Sequence, residues 1–407
     1  MKLFLWIFVP TRLAIWWAQF TQREHNPSST KRGSFIVFRL DTLGDLVLTT
    51  PLFRELKRAY PQAHVTVVVQ EAYRSILETN PYIDELLSVP SVRNEGRLKP
   101  LRYFLNAMQF YWRELRGRRF DVASSPRWDT DEHLATMLCW LTSAELRVGY
   151  SERASKGKRR FNRGFDRVFD ICLDPGPLRH EVERNIAILD ALGQSVNHTA
   201  TEITLTAEDR EYAKQALQSV PANHILLGLG IGAQSPGRRW PLERYAAVID
   251  ELSEEYCIHT VITCAPADHE QATHLAHALP EGSTISDGAA IRETCALLAR
   301  CDLFIGNDTG AAHLSAAMQC PTIVISRHPK HGDPEHPNGP ARFAPWGVPG
   351  RVIQAEHGLD NCTARCQEIS RPHCITQISV PEVVAAAKTI LMQSRRVRDK
   401  LKASSTL

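Results

Sequence analysis

Short runs of apolar and β-branched residues recur along the chain, each followed by a longer stretch with helical spacing of its apolar positions. FIVFR (35–39) predicts a first strand, LDTLGD a turn, and the following residues an amphipathic helix to about Tyr60, ended by Pro61. HVTVVVQ, from His64, is nearly continuous in β-branched residues, as a parallel strand covered on both faces requires. LLSV (86–89), FDVAS (120–124) and LRVGY (146–150) supply further strands, with a helical stretch around Leu101 to Leu115.

A second series begins after His198. ILLGLGIG (225–232) reads as strand then turn, PLERYAAVIDELSEE as helix, and TVITCA (260–265) as strand, with a helix to about Leu279. DLFIG (302–306) and PTIVIS (321–326) are strands separated by the helix GAAHLSAAMQ. Alternation at this spacing predicts an α/β protein with two doubly wound sheets and a ligand cleft at the C-terminal edges of their strands. The expected segments are an apolar amino-terminal stretch and linker (1–33), a first Rossmann-like domain (34–195), a second (200–385) and a basic C-terminal helix or tail (386–407).

Composition narrows this little. The chain has 407 residues, enough for two domains, and 48 basic against 45 acidic residues give +3, too small a charge to point to nucleic acid. Positive charge is local instead: Arg153 to Arg163 form one run and Arg395 to Lys402 another. Each is either solvated surface or a patch for an anionic lipid or acceptor. Residues 3–20 are aromatic and aliphatic but contain Pro10 and Arg12, and fall short of a spanning helix. Trp16 and Trp17 beside Arg12 favour an interfacial segment over a signal, a spanning helix or an arm packed on the protein. Ten cysteines are too few for a disulfide-built fold, and most, such as Cys139, Cys257 and Cys301, read as buried thiols. Cys362, Cys366 and Cys374, with His373, offer zinc ligand types at uneven spacing, which favours a packed loop over a metal site.

Candidate chemistry concentrates after three strands. In RLDTLGDLVLTTP (39–51), Gly44 permits a tight turn and Asp45 falls at a helix start, where it serves as a cap or as a proton acceptor. Arg39 and Asp41 are close enough in sequence to orient it. The segment lacks the G-x-G-x-x-G dinucleotide spacing. Arg238 and Arg239, before Trp240 and Pro241, suit phosphate. Asn307, Asp308 and Thr309 precede a helix that opens with Gly310 and whose first amides can hold an anion, with His313 one turn on.

RLDTLGDLVLTTP, GRRWP and GNDTGAAHLSAAM, in this order and separation, closely resemble the inverting lipopolysaccharide heptosyltransferases, glycosyltransferase family 9. The resemblance covers most of residues 34–390. It implies two facing Rossmann-like domains of the GT-B type, a nucleotide-sugar donor, usually ADP-heptose, and a growing lipopolysaccharide inner core as acceptor. On this chain the family's base falls on Asp45, and its phosphate-contacting lysine falls on Arg238. The family's donor-binding residues fall on Asp308, Thr309, Gly310 and His313. Arg39, Asp41, Arg239 and Asn307 are supporting candidates. No cofactor and no metal is called for by this resemblance. The expected partners are lipopolysaccharide core or another lipid-linked glycan, beside an anionic membrane surface, and no nucleic acid. The expected location is cytoplasmic, peripheral on the inner face of the inner membrane. A different nucleotide sugar serving another surface glycan, and a non-catalytic glycan- or nucleotide-binding protein, stand as alternatives.

Overall fold

The computed structural model describes residues 32–91, 99–280, 282–288, 290–333, 336, 338–359 and 373–404. The amino-terminal apolar stretch, Cys362 and Cys366 lie outside the described residues. The chain divides into two compact units, Met1–Thr199 and Ala200–Leu407.

In the first unit, strands β1 (Ser34–Arg39), β2 (His64–Gln70), β3 (Glu85–Val89), β4 (Val122–Ser125), β5 (Leu146–Tyr150) and β6 (Ile171–Leu173) form one sheet in the order β3-β2-β1-β4-β5-β6. All pairs are parallel, with Val37 opposite Val67 on one side and Ser124 on the other. Because both faces are covered, β1 is apolar at every position from Phe35 to Phe38, all buried. The expected single helix after β1 is broken. Leu43–Val47 forms one short helix and Thr50–Ala59 a second, with Pro51 at the start of the latter, where its missing N–H costs no hydrogen bond.

The basic run at 153–163 is not simply a solvated loop. Ser155 caps a helix, Lys156–Phe161, and Lys158 turns inward, almost fully buried, its Nζ 2.7 Å from the Arg127 carbonyl. Burial draws the Lys158 ammonium down to about 8. The helix Glu181–Ala191 closes this unit, capped by His180, whose Nδ1 accepts from the Val182 amide.

The second unit repeats the plan. Strands β7 (Ile225–Gly230), β8 (Ile258–Thr263), β9 (Ser283–Ser286), β10 (Leu303–Asn307), β11 (Thr322–Ser326) and β12 (Gly350–Gln354) are all parallel, in the order β12-β11-β10-β7-β8-β9. The glycines of β7 are a packing device. A Cβ on Gly230 would lie 2.5 Å from Phe304 Cζ, so the Phe304 ring fills the space that side chains there would occupy. Tyr245, Val248 and Leu252 of the helix Leu242–Ser253 pack on Leu227, Leu229 and Ile305, joined by Val383, Ala387 and Leu391.

The C-terminal segment breaks at Ser394 into Val380–Gln393 and Arg395–Ser404, so the boundary expected at 385/386 lies inside a helix. Two of its basic residues also face inward: Lys400 Nζ and Arg396 Nε lie 2.7 and 3.0 Å from the buried Asp302 carboxylate. Among the cysteines, Cys139, Cys295, Cys301, Cys320 and Cys374 are buried, whereas Cys257 is exposed, contrary to expectation. No helix among the described residues is long and apolar enough to cross a membrane.

Candidate active site

Both sheets reverse direction of strand order at their first strand, between β1 and β4 and between β7 and β10. Loops diverge at such a point, leaving room for a ligand at the C-terminal strand edge. The candidate residues of each unit gather there.

In the first unit, Arg39 ends β1 and is wholly buried, at 1% exposure. It is held by three carboxylates: Asp41 at 3.1 Å, Asp45 at 3.2 Å and Glu181 at 2.8 Å, with Asn185 Oδ1 accepting at 3.3 Å. Asp45 divides its two oxygens. Oδ1 faces Arg39, while Oδ2 accepts from the Thr42 hydroxyl at 2.8 Å and the Thr42 amide at 3.3 Å. The capping role expected for Asp45 is therefore present, and it fixes the carboxylate without excluding chemistry.

Arg127, just after β4, lies 3.0 Å from Asp41 and 3.8 Å from Asp45. Burial opposes the charge of both arginines, but the surrounding carboxylates more than offset it, and both guanidiniums are raised above their ordinary value. Burial raises the Asp41 carboxyl, against the pull of Arg127 and Arg39. Tyr73 is raised by burial and by the Asp45 charge. Gln70, at the end of β2, donates to the Leu40 and Asp41 carbonyls and lies 3.3 Å from His133 Nε2. Burial lowers His133.

In the second unit the consecutive arginines part company. Arg239 is committed to protein: its guanidinium donates to the Ala233 carbonyl and lies 2.8 Å from Asp268. Arg238, ending the turn Pro236–Arg238, is half-buried, and its charge acts with that of Arg327 on Asp308. Burial nevertheless raises the Asp308 carboxyl. Asn307 ends β10 and is fully buried. Its amide oxygen accepts from the Trp240 amide and the Tyr245 hydroxyl, both at 3.0 Å, and its nitrogen donates to Ile231. Asn307 and Arg239 thus shape the loop that presents Arg238. Thr309 precedes the helix Gly310–Ala317, and His313, buried on that helix, meets the Phe343 ring edge-on at 6.3 Å between centroids.

Sequence reasoning missed Arg127 and Glu181 in the first unit. In the second it missed Arg327, His328 and His336. The His328 and His336 rings lie 4.5 Å apart. Burial, then His336, Arg327 and Arg238, push His328 down to about 3. The charges of Arg238 and Arg327 both act on the half-buried Asp308, a cation-rich setting suited to an anionic ligand.

Two Rossmann-like units, with a buried carboxylate at the switch point of one and arginines at that of the other, have the architecture of the GT-B glycosyltransferases. The comparisons agree. The family model for glycosyltransferase family 9 (heptosyltransferase) matches residues 109–337, and the chain belongs to that family. Lipopolysaccharide heptosyltransferase 3 of Escherichia coli K12 is 24% identical over 364 residues, covering 88% of this chain and 98% of that protein. The lipopolysaccharide core heptosyltransferase OpsX of Haemophilus influenzae is 20% identical over 372 residues, covering 88% and 96%. Among solved structures, a family 9 glycosyl transferase from Veillonella parvula superposes with a TM-score of 0.70 at 23% identity, over 91% of this chain and 100% of that one. The E. coli ADP-heptose lps heptosyltransferase II gives 0.63 at 19%, over 88% and 99%. The fold is theirs.

Proposed function

We propose that this chain is an inverting transferase that moves heptose from ADP-heptose to the lipopolysaccharide inner core. Asp45 is the base: it takes the proton of an acceptor hydroxyl as that oxygen attacks the anomeric carbon, and ADP leaves from the opposite face. Arg238, aided by the amides at Thr309 and Gly310, receives the charge that develops on the diphosphate. Asp308 and His313 contact the sugar nucleotide. The enzyme works at the inner face of the inner membrane, where a lipid-linked acceptor is presented.

The observation that carries this reading is the anchoring of Asp45. Its Oδ1 rests on a buried guanidinium and its Oδ2 on Thr42, so a carboxylate is fixed at the sheet's switch point with little rotational freedom. Fixing a base costs entropy during folding rather than during the reaction. The names of the relatives support heptose. The test is a panel of nucleotide sugars incubated with delipidated core oligosaccharide, with products resolved by mass spectrometry and anomeric NMR. ADP-heptose should give an inverted heptoside. Transfer from another nucleotide sugar alone would reassign the donor, and binding without transfer from any of them would make the chain a binding protein.

A further inference from the structure

Of the six exposed large hydrophobic side chains among the described residues, three lie on one element of the first unit. Leu101, Leu105 and Trp112 belong to the helix Lys99–Phe110 and the wider turn Tyr111–Leu115 that continues it, and are 38%, 54% and 54% exposed. Spacings of four and seven residues put them on a single stripe, with the half-buried Met108 between. Ala107, Phe110 and Leu115 face the core, so the helix is already anchored and the stripe is a second apolar face. Single exposed hydrophobics are ordinary; a continuous stripe on one helix marks a surface that meets something apolar.

The charges beside it name the partner. Residues 99–119 carry six basic side chains against one acid, Glu114, which lies 3.4 Å from Arg113. Arg102, Arg113 and Arg116 are exposed, and the Arg116 guanidinium lies over the Trp112 ring at 4.4 Å. An apolar stripe with Trp and Leu, flanked by arginines, suits the boundary between acyl chains and anionic headgroups. A protein partner would need acid to meet the arginines and an apolar face to meet the stripe; an anionic phospholipid surface supplies both.

The helix is also tied to the candidate base. Tyr103, in its first turns, meets the His133 ring edge-on at 4.8 Å; His133 lies 3.3 Å from Gln70, which holds the Asp41 carbonyl. We infer that Leu101, Leu105 and Trp112, with Arg102, Arg113 and Arg116, dock the first unit on an anionic membrane, so that a lipid-linked acceptor enters beside Asp45. The docking stands on the helix itself; its use for the acceptor rests on the function proposed above.

The test is sedimentation of the full-length protein with vesicles of phosphatidylcholine alone, or with roughly 30% phosphatidylglycerol as the anionic lipid. The expected result is recovery on the anionic vesicles about tenfold above the neutral ones, weakened by salt. Leu105→Gln with Trp112→Gln, and separately Arg102→Gln with Arg113→Gln and Arg116→Gln, should each lose about fivefold or more of it. All five side chains are exposed, so melting temperatures should match the parent's. Undiminished recovery of both variants overturns the inference. So does a loss seen only on deletion of residues 1–31, or a changed oligomeric mass in either variant, which would make the stripe a contact between copies. Transfer to delipidated core oligosaccharide separates docking from chemistry. A rate kept within about twofold while vesicle binding falls supports the inference, because soluble acceptor needs no membrane. Equal loss of both signals a damaged site and overturns it. A parent that binds vesicles in this pattern yet transfers nothing from ADP-heptose leaves the docking surface standing and defeats the donor reading.

Discussion

Glu181 Oε1 lies 2.8 Å from Arg39 NH2, both side chains are shut off from solvent, and the same nitrogen is 3.2 Å from Asp45 Oδ1. Three carboxylates therefore share two guanidiniums, those of Arg39 and Arg127. Glu181→Gln leaves Arg39's charge to Asp41 and Asp45 alone and weakens the hold on the guanidinium that orients Asp45. A fall in kcat of about 10- to 100-fold, with donor KM within about twofold, is expected for a change felt mainly in proton transfer. Steady-state kinetics beside a thermal melt check it. A lower melting temperature with kcat unchanged would make Glu181 a structural residue only.

The two adjacent arginines should behave differently. Arg238→Ala should raise the donor KM by about 10- to 100-fold, the range for losing a charge-assisted contact to phosphate, and Arg238→Lys should restore part of it. Arg239→Ala frees Asp268 and the Ala233 carbonyl, so its first effect should be a lower melting temperature. Donor titration and melts on the same three variants decide this. A donor defect larger in Arg239→Ala than in Arg238→Ala would reverse the assignment.

How much of this was legible in the sequence depends on distance along the chain. Asp45, Asp41 and Arg39 lie within seven residues, and a turn between strand and helix is a local signal. Glu181 is 142 residues from Arg39 and reads as an ordinary acid in a helix's first turn; only the parallel sheet brings the two together. Arg238 and Arg239 were indistinguishable until Asp268 was seen to hold one of them. The C-terminal basic run read as solvated charge or a lipid patch, because Asp302, which meets its Arg396 and Lys400, looks like a residue at a strand start. Charge patterns are visible in sequence, but a buried countercharge is not.

His328 should make the second unit acid-sensitive. The unfolded imidazole takes up its proton near 6.5, whereas burial holds the folded one to about 3. The folded state refuses a proton that the unfolded state accepts, so stability is fully present above that upper value. It falls as pH drops through the interval, by up to about 1.4 kcal/mol per pH unit. His328→Gln should flatten the decline, seen in denaturant midpoints at neutral and mildly acidic pH. His133, His259 and His336 are shifted the same way and keep some slope. A decline identical in the variant would contradict the assignment.

Removal of residues 395–407 should destabilise the second unit beyond any effect on membranes. Asp302 has a fully buried side chain whose cations are Arg396 and Lys400, and it also accepts from the Leu226 amide at 2.9 Å. Stranding such a carboxylate costs roughly 3–5 kcal/mol. Asp302→Asn in the truncated protein removes the stranded charge and should recover part of that loss in a denaturant titration. No recovery would mean that the helix stabilises through packing, in which the buried Val397 takes part.

The central claim is that Asp45 is the base, and the most direct measurement is the single-turnover rate of heptose transfer from ADP-heptose by Asp45→Asn, with donor affinity measured by calorimetry on the same sample. Asparagine keeps the size of the side chain and an oxygen for Arg39 or Thr42, but not the capacity to take a proton. The predicted result is a rate lower by about 100-fold or more, with donor affinity within about threefold of the parent. A variant that transfers at close to the parent rate would contradict the account and turn attention to Asp41, 3.0 Å from Arg127 in the same cluster.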